Sequence, residues 1–230
     1  MCRVTFLRFS ARLAAMATAL AVIPIAGAPP SATAAKCPDV DVVFARGTDE
    51  PVGIGRVGQA FVSALQSQVP ARTISTYAVD YPATYDFLAA ADGAVDASRY
   101  IRARAQECPG TRIVLGGYSQ GAAVVDMLVG IPPLGNKIGA LGTKMGNIGA
   151  AAPLAPDLAP NVAAVAVFGN PSAKFSLPVT TAAPPYGGLA IDLCKDGDPI
   201  CSGGRNPFAH TDYVSTGLTT NAADFVAPLL

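Results

Sequence analysis

The sequence predicts an α/β fold: a single domain with a five-stranded parallel sheet covered by helices on both faces. Three observations lead there. Five short apolar runs, each bounded by turn residues, read as strands: Val40 to Ala45, Thr73 to Val79, Arg112 to Leu115, Val162 to Phe168 and Leu189 to Leu193. Their apolar character is nearly continuous rather than alternating, as in strands buried on both faces. Helical patterns lie between them, so strand and helix alternate and the strands run parallel.

Residues 1–35 read as an export signal. Arg3, Arg8 and Arg12 form a basic front, Leu13 to Ile25 an apolar run, and Ala32-Thr33-Ala34-Ala35 a small-residue cleavage region. The run is shorter than the roughly 20 apolar residues a spanning helix needs. The folded domain is therefore expected at 36–230, secreted to the medium or to the cell envelope. Without the leader, 13 basic residues stand against 16 acidic ones, a net charge of −3 that gives no footing for a nucleic-acid partner.

The helices follow in order. Arg56 to Gln68 places Val57, Phe61 and Leu65 in line. The next pattern steps through Ala94, Ala97, Ile101, Ala105 and Cys108, with Arg99, Arg102 and Arg104 expected to face outward. Ala122 to Val129 is apolar all round except for Asp126, which predicts a central buried helix. The last helix, Asn221 to Leu230, turns Ala222, Phe225, Val226 and Leu229 inward. Ile131 to Pro160 has repeated Gly and Pro and no sustained period, and loops this long inside a domain are usually functional.

Four cysteines remain after the leader: Cys37, Cys108, Cys194 and Cys201. They permit three pairings. Cys37 with Cys108 and Cys194 with Cys201 is favoured, because the second bridge would close a tight loop around Asp198. A metal site is disfavoured, since no cysteine pair has finger-like spacing and the chain's single histidine has another use.

That use begins with Gly117-Tyr118-Ser119-Gln120-Gly121, placed where the third strand turns into the buried helix. A serine on such a turn is lifted out of the sheet, and flanking glycines let neighbouring chain approach. Ser119 also stands at the positive end of a helix, where N–H groups can face a developing oxyanion. A serine hydroxyl needs a base, and His210 is the sole histidine. Its late position fits the order Ser, acid, His of α/β-hydrolases. Asp192, Asp196 and Asp198 all qualify as the acid by order. Asp198 is preferred, because the loop from Cys194 to Cys201 would hold it rigidly.

Together these residues resemble the cutinases, most closely the cutinase-like proteins of actinobacteria. The resemblance rests on Val42-Val43-Phe44-Ala45-Arg46-Gly47-Thr48, Gly116 through Ala122, Asp192-Leu193-Cys194 through Cys201, and His210. It implies a compact α/β-hydrolase with a Ser119, Asp198, His210 triad. It also implies an oxyanion hole from Thr48, by backbone and side chain, and the backbone N–H of Gln120.

The implied activity is ester hydrolysis through an acyl-enzyme on Ser119, without metal or organic cofactor, falling as the imidazole takes up a proton in acid. Implied substrates are cutin-like polyester, acylglycerols, short- to medium-chain esters and phospholipids, met by a monomer at a lipid or polymer interface. Residues 131–160 depart from the compact family pattern and are expected to form a flap beside the nucleophile. Two other readings share these residues: acyl transfer to an alcohol, and an envelope-associated lipid-binding protein with a vestigial triad.

Overall fold

The computed structural model describes residues 37–132 and 150–230. Five strands, β1 (Val40–Ala45), β2 (Ile74–Ala78), β3 (Arg112–Tyr118), β4 (Val162–Phe168) and β5 (Ala190–Leu193), form one sheet in the order β2-β1-β3-β4-β5. Every neighbouring pair is parallel. The helices are α1 (Gly55–Gln68), α2 (Ala90–Glu107), α3 (Gln120–Leu128) and α4 (Leu218–Val226).

The period of two along β1 explains the layering. Val40, Val42 and Phe44 join Phe61 and Leu65 of α1 and Ala222 and Val226 of α4 in one core. Val43 and Ala45 point the other way, into a second core with Ala94 and Ile101 of α2 and Val124 and Leu128 of α3. All six residues of β1 and all seven of β4 are buried, whereas the edge strand β2 is half-exposed. Phe44, Phe61 and Phe168 pack with ring centroids 5.9–6.4 Å apart, where β1, α1 and β4 meet.

Several boundaries and one orientation differ from expectation. β3 runs on through Gly116 and Gly117 to Tyr118. Gly116 lies against the Phe44 ring, where an added Cβ would overlap the ring carbons. The glycines there mark close approach, not the strand's end. α4 starts at Leu218, three residues before the expected Asn221, and after Val226 the chain tightens into a 3-10 turn, Ala227–Leu229. Arg99 and Arg102 do face solvent, but Arg104 turns inward. Its Nε lies 2.7 Å from Oδ2 of the fully buried Asp41, which also accepts from Tyr100 Oη at 2.6 Å and Ser75 Oγ at 2.8 Å. A buried carboxylate needs such partners, and a long guanidinium stem one turn from the helix end supplies one.

Disulfides join Cys37 to Cys108, tying the lead into β1 to the end of α2, and Cys194 to Cys201, closing the loop after β5. Of the expected flap, residues 133–149 lie outside the described residues. Its described flanks bury Ile131, Leu154 and Leu158 in the α2–α3 core, with Leu154 N–H donating to Leu128 O at 2.9 Å.

Candidate active site

Ser119 sits between β3 and α3 with φ 56° and ψ −117°, a left-handed conformation costly for a side-chain-bearing residue by about 1–3 kcal/mol. The turn is held from both sides. Ser119 N–H donates to Phe168 O of β4 at 2.8 Å. A Cβ on Gly117 would overlap the Gly121 carbonyl, and a Cβ on Gly121 would overlap the Ala45 carbonyl. The G-x-S-x-G spacing therefore reflects three backbones packed against one another.

His210 lies in a short 3-10 turn, Pro207–Thr211, capped by the Asn206 side chain accepting from Phe208 N–H. Its Nε2 is 2.8 Å from Ser119 Oγ and its Nδ1 2.7 Å from Asp198 Oδ2. With Asp198 ionised, Nδ1 carries the proton and Nε2 is left free to accept the serine's.

Asp198 is fully buried. Oδ1 accepts from Ile200 N–H at 2.7 Å, and Oδ2 from both His210 and the Tyr213 hydroxyl, the latter at 2.6 Å. Burial by itself would raise its pKa, but the hydrogen bonds from His210, Tyr213 and Ile200 outweigh that and hold the carboxyl below the usual range. Of the three candidate aspartates, only Asp198 meets the imidazole. Asp192 in β5 accepts instead from Asn170 Nδ2 and Val179 N–H, each at 2.8 Å, and Asp196 is exposed.

Thr48 and Gln120 are also brought together, but through their side chains: Thr48 Oγ1 donates to Gln120 Oε1 at 3.1 Å. Gln120 is the first residue of α3, so its backbone N–H has no acceptor within the helix. The loop bearing Thr48 is locked on either side. Glu50 accepts from Gly47 N–H at 2.7 Å and from Arg56 N–H at 2.9 Å. Buried Arg46 donates to the carbonyls of Glu50 at 3.0 Å and Tyr81 at 2.8 Å. Arg46-Gly47-Thr48, a bare turn by composition, is thus a braced platform.

Three residues packed around His210 and Asp198 escape sequence reasoning. Tyr118 stacks on the His210 ring, centroids 5.1 Å apart, and its hydroxyl donates to the His210 carbonyl. Gly169, at φ 61° just past β4, makes room for the ring: a Cβ there would lie 2.8 Å from His210 Cε1. Tyr213, three residues after His210, reaches round to Asp198. That spacing is the trace it leaves in the sequence.

Behind α3, the Asn170 amide bridges two buried carboxyls, Asp126 Oδ1 at 3.1 Å and Asp192 Oδ2 at 2.8 Å. Burial, with Asp192 nearby, pushes the Asp126 carboxyl up to about 8, so it is largely neutral near pH 7. A carboxyl whose folded pKa exceeds its unfolded value stabilises the fold most below about pH 4 and loses that contribution progressively between about pH 4 and about pH 8. Asp126→Asn should remove this slope, and urea midpoints at about pH 5 and about pH 8 should lie closer together than in the wild type. Equal slopes would show that Asp126 is ionised throughout.

Among the described residues, no three His, Cys, Asp or Glu side chains converge as a metal-binding set. A serine, an imidazole and a buried carboxylate hydrogen-bonded in sequence at the carboxyl edge of a parallel sheet define a class: an α/β-hydrolase able to perform nucleophilic acyl transfer. Residues 36–230 match the family model described as Cutinase. The chain is 50% identical over 214 residues to phospholipase Culp4 of Mycobacterium tuberculosis, covering 93% of this chain and 88% of that one. It is 43% identical over 219 residues to carboxylesterase Culp1 of the same organism, covering 92% and 91%. A Trichoderma reesei cutinase solved with a C11Y4 phosphonate inhibitor superposes with a TM-score of 0.63 at 32% identity, covering 84% of this chain and 77% of that one. The chain belongs to the cutinase family and is a carboxylic ester hydrolase.

Proposed function

We propose that Ser119 attacks the ester carbonyl, His210 takes its proton through Nε2, and Asp198 fixes the imidazole's tautomer and bears the charge it acquires. His210 then returns the proton to the leaving alcohol, and water releases the acid from the acyl-enzyme by the same steps. The Gln120 N–H and Thr48 hold the oxyanion. For its hydroxyl to take part, Thr48 must turn from the Gln120 side chain toward substrate.

The unbroken chain of hydrogen bonds from Ser119 through His210 to Asp198, at 2.8 and 2.7 Å, carries this reading. It also argues against a vestigial site. A fluorophosphonate should label Ser119 in the wild type and leave Ser119→Ala unlabelled, with kcat reduced about 10⁶-fold. Labelling at another residue, or ester turnover that survives in Ser119→Ala, would overturn it.

The substrate is proposed to be an ester presented at a lipid or polymer surface, met by a monomer. Exposed apolar side chains border the site on two sides. Phe208, 79% exposed, lies two residues from His210. Tyr85, Phe87 and Leu88 flank Asp86, whose carbonyl accepts from Gln120 Nε2 at 3.4 Å. The relative named a phospholipase supports lipid esters among the substrates. Replacing Phe87, Leu88 and Phe208 by Ser should lower turnover of vesicle phospholipid or emulsified acylglycerol about 10-fold or more, since roughly 1.5–3 kcal/mol accompanies burial of each large apolar side chain. Hydrolysis of a soluble short-chain nitrophenyl ester should change less than two-fold. An equal loss on both substrates would refute the interfacial role.

Residues 1–35 are proposed to direct export and to be removed, which suits the two disulfides of the domain. Among the described residues, no helix is long and apolar enough to cross a membrane. A protein recovered from culture medium with its amino terminus near Lys36 would agree with export; an uncleaved protein held in the cytoplasm would not.

A further inference from the structure

We infer that Tyr213 is a positioning residue for the reaction, sharing Asp198 Oδ2 with His210 and so setting how strongly the carboxylate holds the imidazolium. The inference rests on the triad proposed above.

Tyr213 is fully buried, yet its hydroxyl has a complete set of partners. It donates to Asp198 Oδ2 at 2.6 Å, accepts from Lys195 N–H at 3.2 Å, and lies 3.4 Å from Cys201 Sγ of the loop disulfide. Burial first, then the adjacent carboxylate, raise its pKa far above the ordinary phenol value, so it remains a donor wherever the enzyme works. Its ring meets Phe168 of β4 edge-on, centroids 6.2 Å apart, and Tyr118 at 5.7 Å. The phenol is thus seated against β4, with its hydroxyl held among Lys195, Asp198 and Cys201 of the cysteine-closed loop.

Two donors on one carboxylate oxygen divide its charge. His210 meets Asp198 with part of that charge already engaged by Tyr213, which limits the stabilisation of the protonated imidazole. The other groups facing the ring are Ser119 and Tyr118 from the end of β3 and Gly169 from the end of β4. Arg56 of α1 reaches only the neighbouring Thr211 carbonyl, at 2.5 Å. Among the described residues, Tyr213 is therefore the one side chain besides His210 that draws on the Asp198 charge.

Tyr213→Phe keeps the ring and removes the donor. Asp198 then holds the imidazolium more tightly, and the acid limb of kcat/KM should move upward by about half a pH unit or more. At neutral pH, kcat should fall about 3- to 10-fold, because Asp198 loses one of the three donors that fix it and aims the imidazole at Ser119 less well, and KM should stay within about two-fold, because the phenol is fully buried. The chain's single histidine makes this directly visible: one imidazole titrates in the NMR spectrum, and its midpoint should rise with the acid limb.

An unmoved limb and midpoint in a folded, active Tyr213→Phe protein would overturn the inference and leave the triad intact. Failure of the triad is recognised separately, by Ser119→Ala retaining turnover. Should Tyr213→Phe not fold, the wild type decides. A slowly exchanging tyrosine hydroxyl proton with a nuclear Overhauser contact to the Nδ1 proton of His210 is expected, and its absence would overturn the inference.

Discussion

Asp198→Asn is expected to lower kcat about 10⁴-fold on any ester while leaving the fold intact. The carboxylate accepts from three donors: Ile200 N–H on Oδ1, and His210 and Tyr213 on Oδ2. An amide has one accepting oxygen. If that oxygen stays with Ile200, the new NH₂ group faces Nδ1 and the phenol, and the imidazole must move its proton to Nε2. Nε2 then cannot accept from Ser119. If the amide flips, the NH₂ group confronts Ile200 N–H and weakens the loop that fixes residue 198. Stopped-flow hydrolysis of a short nitrophenyl ester, with circular dichroism to verify folding, measures the effect. A loss under 10-fold would mean that Asp198 does not set the tautomer.

Gly121→Ala is expected to be the most damaging small substitution, at about 4 kcal/mol or more, because the added carbon would overlap backbone rather than a mobile side chain. The obstructing atoms are the carbonyls of Ala45 and Arg46, one the last residue of β1 and the other the anchor of the Thr48 loop. Relief requires α3 to lift away from β1, which takes Ser119 with it. Gly110→Ala is the control, since nothing lies within 4 Å of its added carbon. Urea unfolding should place Gly110→Ala within about 0.5 kcal/mol of wild type. Similar stabilities for the two variants would remove close packing as the reason for the glycine.

Much of this was legible in the sequence, for a reason that differs by element. β1 and β4 are buried on both faces, so their apolar runs are unbroken; the edge strand β2, half-exposed, showed weaker bounds. Ser119 and its glycines stood out because an elbow imposes a local spacing. Asp198 could be preferred over Asp192 and Asp196 because flanking cysteines restrain a loop. Arg104 faces inward against its helical period, since its partner Asp41 lies 63 residues earlier and no such period reports it. Tyr118, Gly169 and Tyr213 converge on the imidazole from β3, β4 and the segment after it, and such contacts exist only once the sheet has assembled. The bracing roles of Arg46 and Glu50 are illegible for the same reason: they fasten the Thr48 loop through backbone groups that carry no side-chain signature.

The most direct measurement compares kcat for Ser119→Ala, His210→Ala and the triple variant Ser119→Ala/Asp198→Asn/His210→Ala. If the three side chains act as one unit, the triple variant is no slower than Ser119→Ala by more than a few-fold, and His210→Ala lies near both. Multiplying losses, or a His210→Ala enzyme near the wild-type rate, would contradict it.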